Sequence, residues 1–212
     1  MDIVYSASGF PEFFDKAPVL RTRDLLAEFL GAVEVGRVIE YHYLDAVKLA
    51  GHSCPTVAGA YLMVLHGLKA LYGEELPERG GVEVLMADSR DAGTTGVIGS
   101  VATLLTGAAT DMGFGGIGPM RSFSRRDLMS FDNNINGVLA LRRKDTGLAV
   151  QIELNAGLVP FSDEMKEVMP KAVSGQATDA ELKRFADLWQ ERVCKMLVDH
   201  ADDPRLVVIL PL

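Results

Sequence analysis

The chain spells out a mixed helix-and-strand protein, and three features of the sequence point to it. Apolar residues recur at helical spacing up to about residue 72, switch to short apolar runs near 82–87, 138–142 and 148–154, and return to helical spacing after 162. Glycine, proline and aspartate mark the changes of period. With 48% of residues apolar and 24% charged, the 212 residues can bury a sizeable single core.

In chain order, residues 10–30 carry Phe13, Phe14, Leu20, Leu25, Leu26, Phe29 and Leu30 at roughly helical spacing, the better helix starting from Thr22 as cap. A second helix is expected over 37–49, ending before Gly51. A third starts at once, because Pro55 suits a first helical turn, and Val57, Ala60, Tyr61, Val64, Leu65 and Leu68 carry its stripe to Tyr72-Gly73. Residues 82–87 read as a strand after Gly80-Gly81, and 97–105 as a helix ending at Gly107. Gly113 to Gly118 must be loop or strand edge. Residues 138–142 and 148–154 flank Lys144-Asp145-Thr146-Gly147 and predict a hairpin. A short helix over 162–172, a long one opened by Thr178-Asp179-Ala180-Glu181, and a closing strand over 207–210 complete the chain.

The formal net charge of −8 opposes nucleic-acid binding, which requires a positive surface. No run of about eighteen apolar residues occurs, so no membrane span is expected. The start Met1-Asp2-Ile3-Val4-Tyr5 is unlike a secretory leader, and Cys54 and Cys194 are expected as free thiols, so a cytoplasmic location is the expectation. No repeat or low-complexity linker calls for a second domain.

The chemistry concentrates in Gly51-His52-Ser53-Cys54-Pro55. With Pro55 opening a helix, the Cys54 sulfur lies near unpaired amides and the positive end of the helix dipole, a position that favours thiolate. His52, two residues earlier in an extended segment, can share its face. His-x-Cys is a compact donor pair for zinc or a similar transition metal. A buried structural cysteine beside a loop histidine fits the spacing equally well.

That segment, followed by the small-residue stretch Thr56-Val57-Ala58-Gly59-Ala60-Tyr61, resembles the FmdE family, named after a component of formylmethanofuran dehydrogenase. The order of later features agrees: a strand ending in acidic residues, Leu105-Thr106-Gly107, a glycine-rich loop, and a hairpin containing Arg143-Lys144-Asp145-Thr146-Gly147-Leu148-Ala149-Val150. The resemblance covers roughly residues 51–153 and implies an α+β core, a mixed sheet flanked by helices and somewhat thioredoxin-like. It implies one domain over 1–212, with a core at about 37–160 and a C-terminal helical extension at about 161–212. A homodimer and a metal site at the His-x-Cys segment are also implied, but not formylmethanofuran chemistry. Three departures stand out: Ala50 occupies the place of a further histidine, the cysteine expected after the acidic strand end is missing, and no C-terminal zinc finger follows.

His42 is therefore the candidate third ligand beside His52 and Cys54, with Asp45 one helical turn on to orient it. Asp88 and Asp91, where the strand leaves the sheet, are candidate catalytic carboxylates beside Cys54, or simply an acidic turn with Arg90. Gly115 and Gly116 in the glycine run, with Arg121, Arg125 and Arg126 after it, are candidates to hold an anionic group of a small-molecule substrate, or a tight structural crossing. Phe13, Phe14, Phe185 and Trp189 supply apolar helix surface for pairing of two copies. The leading expectation is a metalloenzyme carrying zinc at this site. The rivals are a non-catalytic metal- or haem-binding protein and a thiol-redox protein working through Cys54.

Overall fold

The computed structural model describes residues 3–212. Met1 and Asp2, the first two residues of the start that is unlike a leader, lie outside them. Helices and a mixed sheet combine as an α+β protein.

The N-terminal quarter departs from the periodicity. A 3₁₀ turn over Glu12–Lys16 buries Phe13 and Phe14, and it leads into strand β1 (Leu20–Thr22). Helix α1 (Leu25–Phe29) is capped not by Thr22 but by Asp24, whose carboxylate accepts the N–H groups of Leu26 and Ala27 at 3.0 and 3.2 Å. Strand β2 (Ile39–Tyr41) pairs antiparallel with β1, Leu20 opposite Tyr41. The expected helix over 37–49 is thus two elements, because this pairing claims residues 39–41 and only α2 (Tyr43–Ala50) remains helical. Gly51, left-handed at φ 76°, ends α2.

Helix α3 (Pro55–Tyr72) follows as expected, with Pro55 in its first turn. Strand β3 (Val82–Met86) and helix α4 (Thr95–Thr106), closed by left-handed Gly107, also stand where the pattern puts them. A two-residue strand β4 (Met129–Ser130) then precedes the expected hairpin of β5 (Leu139–Arg143) and β6 (Ala149–Leu154). Ser162 caps α5 (Asp163–Val173), and Thr178 with Glu181 forms a capping box on α6 (Asp179–Cys194). A π-helical turn over Lys195–Asp199 leads toward β7 (Val207–Pro211).

The main sheet runs β4-β3-β5-β6-β7, with β3 and β4 parallel and every other pair antiparallel. The C-terminal segment is therefore more than an appended extension, since β7 hydrogen-bonds to β6 as a strand of the core sheet. Helix α3 lies against that sheet so closely that a Cβ at Gly67 would come 2.8 Å from side-chain carbons of Leu141 and Ile152. Near its start, Gly59 meets Leu154. At its end, the Tyr72 ring lies under the Arg143 guanidinium, beside the first residues of β3. Gly99 of α4 faces Met129 and Phe131, and Gly107 faces Gly80. Both helices therefore run antiparallel to β3, and their N-termini meet the end where β3 leaves the sheet.

The aromatic residues expected to drive pairing pack within the chain. Phe13 and Phe14 are 6% and 4% exposed, and Phe161 and Phe185 each pack a tilted ring against Trp189 of α6. Among the described residues, no helix is long and apolar enough to cross a membrane.

Candidate functional site

Cys54 is the N-cap of α3. Its backbone is extended, and its buried sulfur accepts the Val57 N–H at 3.4 Å, one of the amides a helix start leaves unpaired. The left-handed turn at Gly51 reverses the chain between α2 and α3 and so presents residues 52–54 at the junction.

Ser53 is held from two directions. Its hydroxyl lies 2.9 Å from the Tyr43 hydroxyl and donates to the Gln190 side-chain oxygen at 2.9 Å. Because a hydroxyl has one proton, Tyr43 must be the donor to Ser53. Burial pushes the Tyr43 phenol up from its ordinary value, so the phenol keeps that proton. The Ser53 carbonyl accepts from Trp189 Nε1 and Gln190 Nε2, each at 3.1 Å. Tyr43 is itself fixed by edge-on contacts with Phe14 and Tyr61, at centroid distances of 5.0 and 5.8 Å. Helix α6 thus reaches back across more than half the chain to clamp the segment beside Cys54. The apolar spacing of α6 makes Trp189 visible in the sequence, but nothing there pairs Trp189 and Gln190 with Ser53.

His52 is exposed, and its Nδ1 is 3.0 Å from the Ala50 carbonyl oxygen. A carbonyl only accepts, so Nδ1 carries a proton, and in the neutral imidazole the lone pair is then on Nε2. Metal-binding histidines are commonly oriented by this kind of bond to a carbonyl.

His42 does not join them. It is the exposed N-cap of α2, not a residue within the helix, and its backbone N–H donates to Asp45 at 2.8 Å. The eight residues of α2 put roughly 12 Å of helix between His42 and the junction that bears His52 and Cys54. Asp45 orients the His42 backbone rather than its imidazole. Among the described residues, no three or more histidine, cysteine, aspartate or glutamate side chains gather as a metal-binding group. The junction carries one imidazole and one thiol, residue types that bind zinc, which is fewer protein ligands than the three or four typical of zinc sites.

Asp88 and Asp91 lie at the exit of β3, the end of the sheet to which α3 also brings Cys54, but both are exposed. The Ser89 hydroxyl donates to Asp91 at 2.8 Å and holds its carboxyl below the usual range, the wrong direction for a general base working near neutrality. The Asp88 carbonyl accepts from the Asp132 N–H.

The glycine run is a structural crossing. Ile117 and Ser122 exchange backbone hydrogen bonds of 2.9 and 3.0 Å, and a Cβ on Gly116 would collide with the Arg121 carbonyl oxygen. The Gly115 carbonyl accepts from Arg121 Nε at 3.1 Å. Gly115 and Gly116 therefore give the loop its close approach to residues 121–122, and the bond to the Gly115 carbonyl sets the place of the Arg121 guanidinium.

Cys194, at the end of α6, is a free thiol that is half-buried, and burial raises it further above its ordinary value. Compared with family models and with curated proteins, the sequence matches none.

Proposed function

We propose that the chain is a metal-binding protein similar to the FmdE family, with an open transition-metal site at the junction of α2 and α3. The observation that carries this reading is the hydrogen bond from His52 Nδ1 to the Ala50 carbonyl, which in the neutral imidazole leaves Nε2 as the donor atom, two residues from Cys54 in the chain. His52 and Cys54 are the two protein donors, and the remaining positions belong to a small molecule or to solvent. A transition metal held there, zinc being the expected one, supplies a Lewis acid. The protein's own part is to orient the imidazole, to steady the sulfur with the Val57 N–H, and to hold Ser53 still through Tyr43, Trp189 and Gln190. Metal analysis and an absorption spectrum of freshly purified, untagged protein test this. A stoichiometric transition metal without a Soret band is the expected result, and a metal-free protein or a Soret band overturns it.

Thiol chemistry at Cys54 is the second reading, favoured by the Val57 N–H directed at the sulfur. Oxidation of Cys54 at a rate unaffected by chelators supports that reading over the first. The homodimer belongs to the same proposal. Met112, Phe114 and Met120, exposed by 90%, 43% and 88% in and beside the glycine-rich loop, are apolar side chains that a partner copy would cover. Light scattering at rising concentration should report twice the 22.9 kDa chain mass.

A further inference from the structure

We infer a second ligand site at the opposite end of the sheet from Cys54: a cationic cleft that binds the phosphate group of a small molecule. It lies where β3 begins and α4 ends, and its walls include Arg79, Arg121, Arg125 and Lys144 against the carboxylate of Glu78. Such a concentration of positive charge is notable in a chain of net charge −8.

The protein's own acids do not neutralise it. Asp24, behind the cleft, is shared by two guanidiniums, accepting from Arg125 Nη2 at 2.6 Å and Arg79 Nη1 at 2.8 Å. Glu78 is already engaged by Arg23 at 3.0 Å. Arg121 and Lys144 donate to the carbonyls of Gly115 and Gly80, which are neutral acceptors. Arg79 also has a buried Nε without a hydrogen-bond partner among the described residues. Guanidinium forks with an ammonium beside them match the several oxygens of a phosphate.

Two residues of the loop that lines the cleft have strained backbone. Arg121 and Phe123 both adopt left-handed conformations, φ 50° and 62°, and both line it. A bulky residue rarely takes that conformation, and such outliers gather at ligand sites. Phe123 packs its ring against Phe29, with centroids 5.1 Å apart.

The size fits a head group with a body beyond it. The cationic cleft holds about 230 Å³ and shares Glu78, Gly80 and Lys144 with a neighbouring cleft of about 580 Å³ walled by Tyr72 and Leu76. The first suits one phosphate, and the second suits the rest of a ligand of ordinary size. The cleft shares no residue with the Cys54 junction and is independent of its chemistry.

Arg79 and Arg125 hold Asp24, so the test uses the solvent-exposed Arg121 and Lys144 in the full chain. Calorimetric titration with inorganic phosphate, and separately with citrate, against chloride of matched ionic strength is the measurement. Saturable phosphate binding is expected, at least tenfold weaker in Arg121→Gln and in Lys144→Gln, and unchanged in Arg37→Gln. Circular dichroism of the variants should match the parent. Phosphate that gives no saturation beyond chloride, or affinities equal in all three variants, overturns the site. Saturation by citrate alone overturns the assignment to phosphate.

Discussion

Gln190 holds both polar ends of Ser53: its amide nitrogen donates to the Ser53 carbonyl at 3.1 Å while its amide oxygen accepts from the Ser53 hydroxyl at 2.9 Å. The two bonds fix the orientation of the amide, because a flipped Gln190 would set oxygen against carbonyl oxygen. They also tie the C-terminal helix to the segment that carries Cys54.

Removing that grip should loosen the site. Gln190→Ala forfeits two hydrogen bonds at a partly buried position, each worth about 1 kcal/mol, so stability should fall by about 1–2 kcal/mol. Trp189 still satisfies the Ser53 carbonyl, which keeps the loss from being larger. Urea denaturation checks the magnitude. Labelling of Cys54 by a disulfide reagent should also quicken in the variant, since the sulfur is only as accessible as the clamp allows.

Asp24 is a buried charge with three structural tasks. It is 4% exposed, pairs with Arg79 and Arg125, and caps α1. Asp24→Ala leaves two guanidiniums facing each other without their shared partner, and breaking such a buried pair costs about 3–5 kcal/mol. The expected outcome is a fall in thermal midpoint of several degrees or more, at about 2–4 °C per kcal/mol for a chain of this size. A shift within a degree of the parent would contradict the role given to Asp24.

Acid should act through the cap of α6. The Lys171 ammonium, and after it the Thr178 backbone and hydroxyl, hold the Glu181 carboxyl down at about 2. A depressed carboxylate contributes its stability in full above its unfolded value of about 4.3 and loses it as the pH falls through the folded value. The helical circular dichroism signal at a fixed, moderate urea concentration should therefore decline between about pH 4.3 and 2. Glu181→Gln should flatten that part of the profile. The group is at the surface, so the effect shrinks in high salt.

These features are legible in the sequence to different degrees, and locality explains the difference. Pro55 and Gly51 mark the turn into α3, Gly107 ends α4, and Thr178 with Glu181 opens α6, because caps are written within four residues. Strands β1 and β2 are three residues each and stabilise one another across the chain, so their apolar residues read as helix. The same periodicity carries His42 into a helix, whereas the structure sets it at the exposed N-cap of α2. Thr22 looks like the cap of α1, although an aspartate before Leu25-Leu26 is itself a recognisable signal. The Ser53 clamp spans 137 residues, and no local pattern specifies it.

Cys194 should be a slow thiol. Burial, reinforced by Asp199, raises it above its ordinary value, so less thiolate is present near neutrality than at an exposed cysteine. In a Cys54→Ser variant, alkylation by iodoacetamide should rise with pH through a midpoint higher than that of an exposed cysteine in a reference peptide. A plateau at neutral pH would contradict the burial that the fold gives it.

The proposed pairing of His52 with Cys54 at one metal is read most directly by cobalt(II) titration. Bound through sulfur, cobalt gives a thiolate-to-metal charge-transfer band in the near ultraviolet. The intact chain should show that band and saturate at one equivalent. Cys54→Ser should abolish the band, and His52→Ala should weaken binding at least tenfold with the band retained, while His42→Ala leaves both unchanged. Saturable binding with no charge-transfer band in the intact chain, or affinity unaffected by both Cys54→Ser and His52→Ala, would contradict it.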